Sequence, residues 1–220
     1  MDGTLLDSMP AWDAAGPRYL AQLGITARPG LAAELFALTQ PQSAAYLQRT
    51  YALPLSQAEI EAGIYAVMAD YYRHKAQLKP GAAAFLAGLR ADGLRLAVAT
   101  VTDRASAEAA LSRLGVLAQL TVLRTADEAG AGKESPALYL QTAALLGTPP
   151  PQTLVFEDAL FAARTAAAAG FVPVGVFDAS SAADEAALRG VCRWYLRDFG
   201  DYPAFAARAG LGGGTPPKAR

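Results

Sequence analysis

The sequence predicts an α/β protein in which a helical N-terminal stretch is followed by a parallel sheet, as one domain with an insert or as two small domains. From residue 94 onward, short apolar runs alternate with helical stretches at a βα period, and that alternation requires a parallel sheet. Before residue 80 the chain is alanine-rich, its apolar residues recur at helical spacing, and no segment reads as a strand. A length of 220 residues, 53% of them hydrophobic and 18% charged, suffices for one domain with an insert around a sizeable core.

The elements follow in order. Residues 11–23, 31–38, 43–51 and 56–78 read as helices. Pro17 marks a turn in the first, and Pro29-Gly30, Pro41 and Pro54 punctuate the others. Ile60, Ile64, Val67, Met68 and Tyr71 give the fourth one apolar face. After Pro80-Gly81, helices are expected over 82–91, 103–114, 135–146, 159–169 and 182–188. The first four end at Gly93, Gly115, Gly147 and Gly170. Strands are expected over 95–99, 120–123, 153–156 and 172–176, with an edge strand at 194–196. Residues 211–220 read as a flexible tail. The crossovers should be right-handed. Ligands of such sheets sit at the carboxyl ends of the strands, so chemistry is sought at 100–103, 127–133 and 157–158.

Composition narrows the function. Lys+Arg is 19 and Asp+Glu is 20, which argues against nucleic-acid binding through bulk positive charge. One cysteine excludes an intrachain disulfide framework, and one histidine excludes a His-rich metal site. His74 reads as a surface residue and Cys192 as a small buried hydrophobe. With no signal-peptide pattern and no apolar run near 18 residues, the expected setting is the cytoplasm, without a membrane partner.

Four short motifs occupy the strand ends, each with a plain structural alternative. Asp2-Gly3-Thr4, followed by Leu5, Leu6 and Asp7, reads as a turn or as part of a site. Thr100, Val101 and Thr102 precede Asp103; a hydroxyl past a strand, beside free N–H groups, makes an anion site, or else Thr102 or Asp103 simply caps a helix. Lys133 follows Gly130-Ala131-Gly132. A P-loop would need glycine six residues before the lysine, where Asp127 stands. Lysine is scarce here, with four against 15 arginines, which makes Lys133 a better functional candidate than usual beside the alternative of a solvated loop side chain. Such a loop lysine is expected to bury little surface. Finally, Glu157-Asp158 follows an apolar strand; paired carboxylates suit Mg²⁺, and Asp158 is also placed to cap a helix.

Taken in order, DGTLLDS, ATVTD, GKESP and VFEDA resemble the haloacid dehalogenase-like (HAD) superfamily, across roughly residues 1 to 197. The later text LVFEDALFAARTAAAAGFVPVGV is similar to its phosphatase and β-phosphoglucomutase branch. The resemblance implies a Rossmann-like parallel sheet core from 1–8 and 80–210, with an all-helical cap inserted over 9–79. It also implies the roles. Asp2 is the acid that protonates the leaving group and then activates water. Gly3, Thr100, Val101, Thr102 and Lys133 bind the phosphoryl oxygens. Asp2, through its carbonyl, binds Mg²⁺ together with Glu157 and Asp158. An acid at Asp2 favours phosphate esters over the dehalogenase and phosphonate-cleaving chemistries. A phosphonate-type Schiff base would need a cap lysine, and only Lys75 and Lys79 are near.

The family motif is Asp-x-Asp-Gly-Thr, and its first Asp attacks phosphorus. With Met1 as x, the nucleophile and the apolar first core strand are expected just before Met1 and are missing from this chain. Four buried apolar side chains of that strand, at about 1.5–3 kcal/mol each, rival the about 5–15 kcal/mol stability of a whole domain. The expectation is therefore that Met1 is an internal methionine of a longer protein, the alternative being a decayed and inactive one. The leading reading is a Mg²⁺-dependent phosphatase of a small phosphorylated metabolite acting through an aspartyl-phosphate. A β-phosphoglucomutase-type mutase and a non-catalytic phosphate binder stay open, as do the substrate, the cap residues that line the cleft, and a monomeric or dimeric state.

Overall fold

A computed structural model describes residues 1–36, 38 and 40–211. The tail expected over 211–220 lies, Leu211 apart, outside them. The chain divides into two compact units, Ser8–Ala76 and Met1–Asp7 joined with the chain from Gln77 on.

The helical unit contains α1 (Met9–Asp13), α2 (Ala15–Gln22), α3 (Leu31–Phe36), α4 (Gln40–Tyr51) and α5 (Gln57–His74). The single helix expected over 11–23 is broken at Ala14 instead of at Pro17. Pro17 is the third residue of α2, a position whose N–H has no intrahelical acceptor in any case. A capping box of Ser56 and Glu59 starts α5. Its buried stripe runs through Ile60, Ile64, Val67 and Met68 to Tyr72; the expectation of Tyr71 was one residue early. Tyr72 accepts a hydrogen bond from Trp12 Nε1 at 3.0 Å, which ties α5 to α1. His74 is exposed, beside Asp70 at 3.8 Å.

α5 was expected to continue to residue 78, but it ends at His74. Backbone pairing takes the next residues. Asp7 N–H donates to Gln77 O, Lys79 N–H donates to Leu5 O, and Leu6 bridges Leu78 antiparallel. The segments that lead into and out of the helical unit therefore lie side by side.

The sheet unit follows with α6 (Ala82–Ala91), β1 (Ala97–Thr100), α7 (Arg104–Arg113), β2 (Val122–Thr125), α8 (Ala126–Ala129), α9 (Ala137–Leu146), β3 (Leu154–Glu157), α10 (Leu160–Ala168), β4 (Val172–Val176), α11 (Glu185–Val191), β5 (Trp194–Leu196) and α12 (Tyr202–Ala209). The predicted α/β class and parallel pairing hold. β2 starts two residues later than expected, because Leu117–Gln119 forms a 3₁₀ turn and Thr121 N–H donates to Leu96 O first. No helix was expected at α12, although its signals are present: Asp201 caps Ala204 N–H at 2.9 Å, Pro203 sits in the first turn and Gly210 ends it. Phe205 of α12 joins Phe156 and Phe199 around the buried Phe85 of α6.

Among the described strands the sheet is in two parts, β1–β2 and β3–β4–β5. The β1–β2 register sets Thr100 beside Thr125, and the β3–β4 register sets Glu157 beside Gly175. β1 and β3 each pair on one side only, and residues of both line a cavity of about 690 Å³ whose wall also includes Met1, Leu5, Tyr139 and Phe171.

Lys79 anchors the returning segment to the end of β4. Its ammonium lies 2.8 Å from Asp178 Oδ2 and donates to Phe177 O, and both side chains are largely buried. Burial alone would raise the Asp178 carboxyl; hydrogen bonds from Lys79 and Ser180 outweigh it and hold the group below its ordinary value. A depressed carboxyl stabilises the fold above its unfolded pKa of about 3.9, and that contribution is lost as pH falls through the lower folded value. Thermal melts between pH 7 and pH 3 should therefore show a steeper acid loss of Tm in the parent than in Asp178→Asn. Equal slopes would show that the pair contributes nothing.

Candidate active site

The carboxyl ends of β1 and β3 bring the motifs together in the sheet unit. Gly3 has φ +65°, and a Cβ there would fall on the Asp158 carboxylate. Glycine thus supplies both the left-handed turn and the close approach. The turn is held by Leu5 N–H and Leu6 N–H on Met1 O, at 2.8 and 3.0 Å. It delivers Thr4 Oγ1 to Asp158 Oδ1 at 2.5 Å. It also delivers Asp2 to β1, where Thr102 Oγ1 donates to Asp2 Oδ2 at 2.7 Å.

The capping alternatives are decided by geometry. Asp103 caps α7, accepting from Ser106 N–H at 2.9 Å, and this leaves Thr102 for Asp2. Asp158 does not cap α10; Ala159 holds that position and no side chain caps it. Thr100 is buried, and its hydroxyl oxygen accepts Thr102 N–H at 3.1 Å. Val101 stands 60% exposed between them.

Lys133 departs from expectation. The short helix α8 ends at Gly130, and the following loop turns Lys133 inward instead of into solvent. Its side chain is 11% exposed, with Nζ 2.6 Å from Glu157 Oε1. Burial, the largest single effect, would lower its pKa; the Glu157 charge and hydrogen bond, with the Asp158 and Asp2 charges, together outweigh it and hold the group above the ordinary lysine value. Tyr139 of α9 donates to the same Oε1 at 2.8 Å. Glu157 Oε2 is buried and has no hydrogen-bond partner.

Asp158 has its carboxyl pushed up, by burial first and by the Glu157 charge second, against the opposing pull of Thr4 and Lys133. Adjacent buried carboxylates with an orphaned oxygen are short of positive charge. That donor set fits a hard divalent cation, which needs only one or two carboxylates besides water and phosphate. Among the described residues no three His, Cys, Asp or Glu side chains cluster for a metal, so the arrangement is the Glu157–Asp158 pair, with Asp2 engaged by Thr102. The backbone nitrogen of Met1 is buried within reach of Lys133, Asp2, Glu157 and Asp158.

A family model for haloacid dehalogenase-like hydrolases matches residues 1–170. The chain belongs to this family. Hexitol phosphatase A of Escherichia coli is 30% identical over 172 residues, 77% of each chain. Validoxylamine A 7'-phosphate phosphatase of Streptomyces hygroscopicus is 37% identical over 116 residues, 53% of this chain and 54% of that protein. The chain matches about half the length of that phosphatase, and 42% of the CbbY protein of Rhodobacter capsulatus. Among solved structures, a Thermotoga maritima protein provisionally named a beta-phosphoglucomutase superposes with TM-score 0.80, at 21% identity over 94% of this chain and 96% of its own. CbbY of Rhodobacter sphaeroides in complex with phosphate gives 0.76, at 24% over 92% and 93%. At such identities these two establish the HAD fold. No helix of the described residues is long and apolar enough to cross a membrane.

Reading the motifs as text found Asp2, Gly3, Lys133, Glu157 and Asp158 but assigned nothing to Thr4 or Tyr139. Thr4 stands inside the DGT motif, so its signal was available. Tyr139 carries no signal beyond an aromatic at core spacing in a helix.

Removing Lys133 should destabilise the protein, contrary to what a solvated loop lysine implies. Leaving one partner of a buried pair uncompensated costs about 3–5 kcal/mol. Urea denaturation of Lys133→Ala should show a loss of that order, and a change below about 0.5 kcal/mol would return Lys133 to an exposed role.

Proposed function

We propose that this protein is a Mg²⁺-dependent phosphatase of small phosphorylated sugars or related metabolites. The observation that carries the reading is the cluster at the strand ends, in which the half-buried Asp2 lies within electrostatic reach of Lys133 beside the buried Glu157 and Asp158, with one carboxylate oxygen unfilled. Relatives named as phosphatases of hexitols and of fructose 1-phosphate support the substrate class. Glu157 and Asp158, with the Asp2 carbonyl, would hold Mg²⁺, which when bound offsets negative charge on the phosphoryl oxygens. Lys133 adds fixed positive charge on the same side, and the Thr100 hydroxyl and the Val101 N–H supply donors, with Thr102 N–H holding the Thr100 oxygen in place. Such preorganised charge is what phosphoryl transfer requires.

The nucleophile in this reading is an aspartate directly preceding Met1. Its carboxylate oxygen bonds phosphorus as the ester oxygen leaves, and the Asp2 carboxyl protonates that alkoxide. Asp2 then takes a proton from water, whose oxygen attacks phosphorus; phosphate departs and the aspartate is restored. Two features support the position. The Met1 amine is buried among Lys133, Glu157 and Asp158, so a preceding residue would occupy that spot. A strand running back from it would enter the cavity between β1 and β3.

Phosphate release from p-nitrophenyl phosphate tests the reading. The protein expressed with the in-frame residues encoded upstream of Met1 should hydrolyse it, and EDTA should abolish turnover until Mg²⁺ is restored. Asp2→Asn should lower kcat/KM by about 10²–10⁴-fold. Full activity in chelator sinks the metal assignment. Robust activity from a chain begun at Met1, or an upstream codon other than Asp, sinks the nucleophile. Glucose 6-phosphate instead of free phosphate from β-glucose 1-phosphate would replace hydrolysis by the mutase reaction.

A further inference from the structure

We infer that Tyr139 is a positioning residue whose hydroxyl, together with Lys133, fixes the Glu157 carboxylate so that Oε2 alone is presented to the cation. The inference rests on the Mg²⁺ reading above and deepens it.

The geometry is asymmetric. Lys133 Nζ and the Tyr139 hydroxyl both meet Glu157 Oε1, at 2.6 and 2.8 Å, while Oε2 is buried without a partner. A carboxylate rotates about its last torsion, so two donors arriving from one side decide which oxygen stays open. Lysine is a poor device for this on its own, because its long stem lets the ammonium follow either oxygen. Tyr139 is rigid by comparison. Its ring is buried in an apolar cluster with Ala143, Ala166 and Phe171, and its centroid lies 6.1 Å from that of Phe171. The hydroxyl therefore arrives from a fixed direction, set by α9 and its packing against the core.

Packing does not account for the hydroxyl. Phenylalanine would fill the same apolar cluster without burying a phenol. A buried phenol that donates to one oxygen of a carboxylate whose other oxygen is empty has the geometry of an outer-shell partner of a metal site. Removing such a partner typically costs 10–100-fold in metal affinity.

The test reads metal binding directly, without turnover. Mg²⁺ affinity by calorimetry and Mn²⁺ affinity by electron paramagnetic resonance are compared for the whole protein, Tyr139→Phe and Phe171→Leu. Tyr139→Phe should weaken both ions by about 10–100-fold with little change in Tm. Phe171→Leu, which loosens the same cluster and leaves the hydroxyl, should lower Tm and keep the affinity within about threefold of the parent. A double-mutant cycle adds an independent check: in a Glu157→Ala background, Tyr139→Phe should have no further effect on Mg²⁺ affinity. Parent-like metal affinity in Tyr139→Phe, or an undiminished loss in the Glu157→Ala background, overturns the inference and leaves the Mg²⁺ reading standing. A parent that binds neither ion overturns both, and that result is seen before any variant is made.

Discussion

Two adjacent carboxylates, Glu157 and Asp158, are buried where β3 ends, and the rest of the site is arranged around that expense. Burial and the Glu157 charge both work against ionising Asp158. Every neighbour that offsets this comes from a different part of the chain. Thr4 arrives from the N-terminal turn, Lys133 from the loop after α8, and Tyr139 from α9. Parallel strands make the convergence possible, because their registers align the carboxyl ends of β1 with β2 and of β3 with β4. The compensation is incomplete, since one oxygen of Glu157 has no donor. In the proposed reading a cation completes it.

Glycine and proline act here through position. At Gly3 the absence of a side chain lets backbone touch the Asp158 carboxylate, so the DGT turn and the β3 end are one structure in space although 155 positions separate them in sequence. The same turn places Asp2 against Thr102. The segments flanking the helical unit are tied down next to it, by the Leu6–Leu78 bridge and by Lys79 on Asp178. The chain thus enters and leaves the helical unit through segments hydrogen-bonded to each other, the returning one ion-paired through the Lys79 side chain to Asp178 beyond the end of β4.

Much of this was legible in the sequence. Period and punctuation placed β4 at Val172–Val176, α6 at Ala82–Ala91 and the edge strand at Trp194–Leu196, because a run of apolar residues bounded by glycine or proline has few alternatives. The motif order identified the family, since glycine, lysine and paired acids at successive strand ends are costly to place by accident. Boundaries set by tertiary pairing were not legible. α5 stops at His74 because Leu5 and Asp7 compete for the backbone that follows, and β2 shifts because Thr121 bonds Leu96 first.

The linear text by itself determined the α/β class, the helical insertion and which acids, hydroxyls and lysine stand at the strand ends, because those follow from local periodicity and side-chain chemistry. Only the tertiary structure decided what each of them does with its neighbours. Asp103 caps a helix and Asp158 does not; Lys133 is buried on Glu157 although a loop lysine was expected to bury little; and a helix tyrosine with no motif of its own reaches the site. Hydrogen bonds and ion pairs depend on distances of about 3 Å between residues tens of positions apart, and those distances are fixed by packing, which the order of residues along the chain does not display.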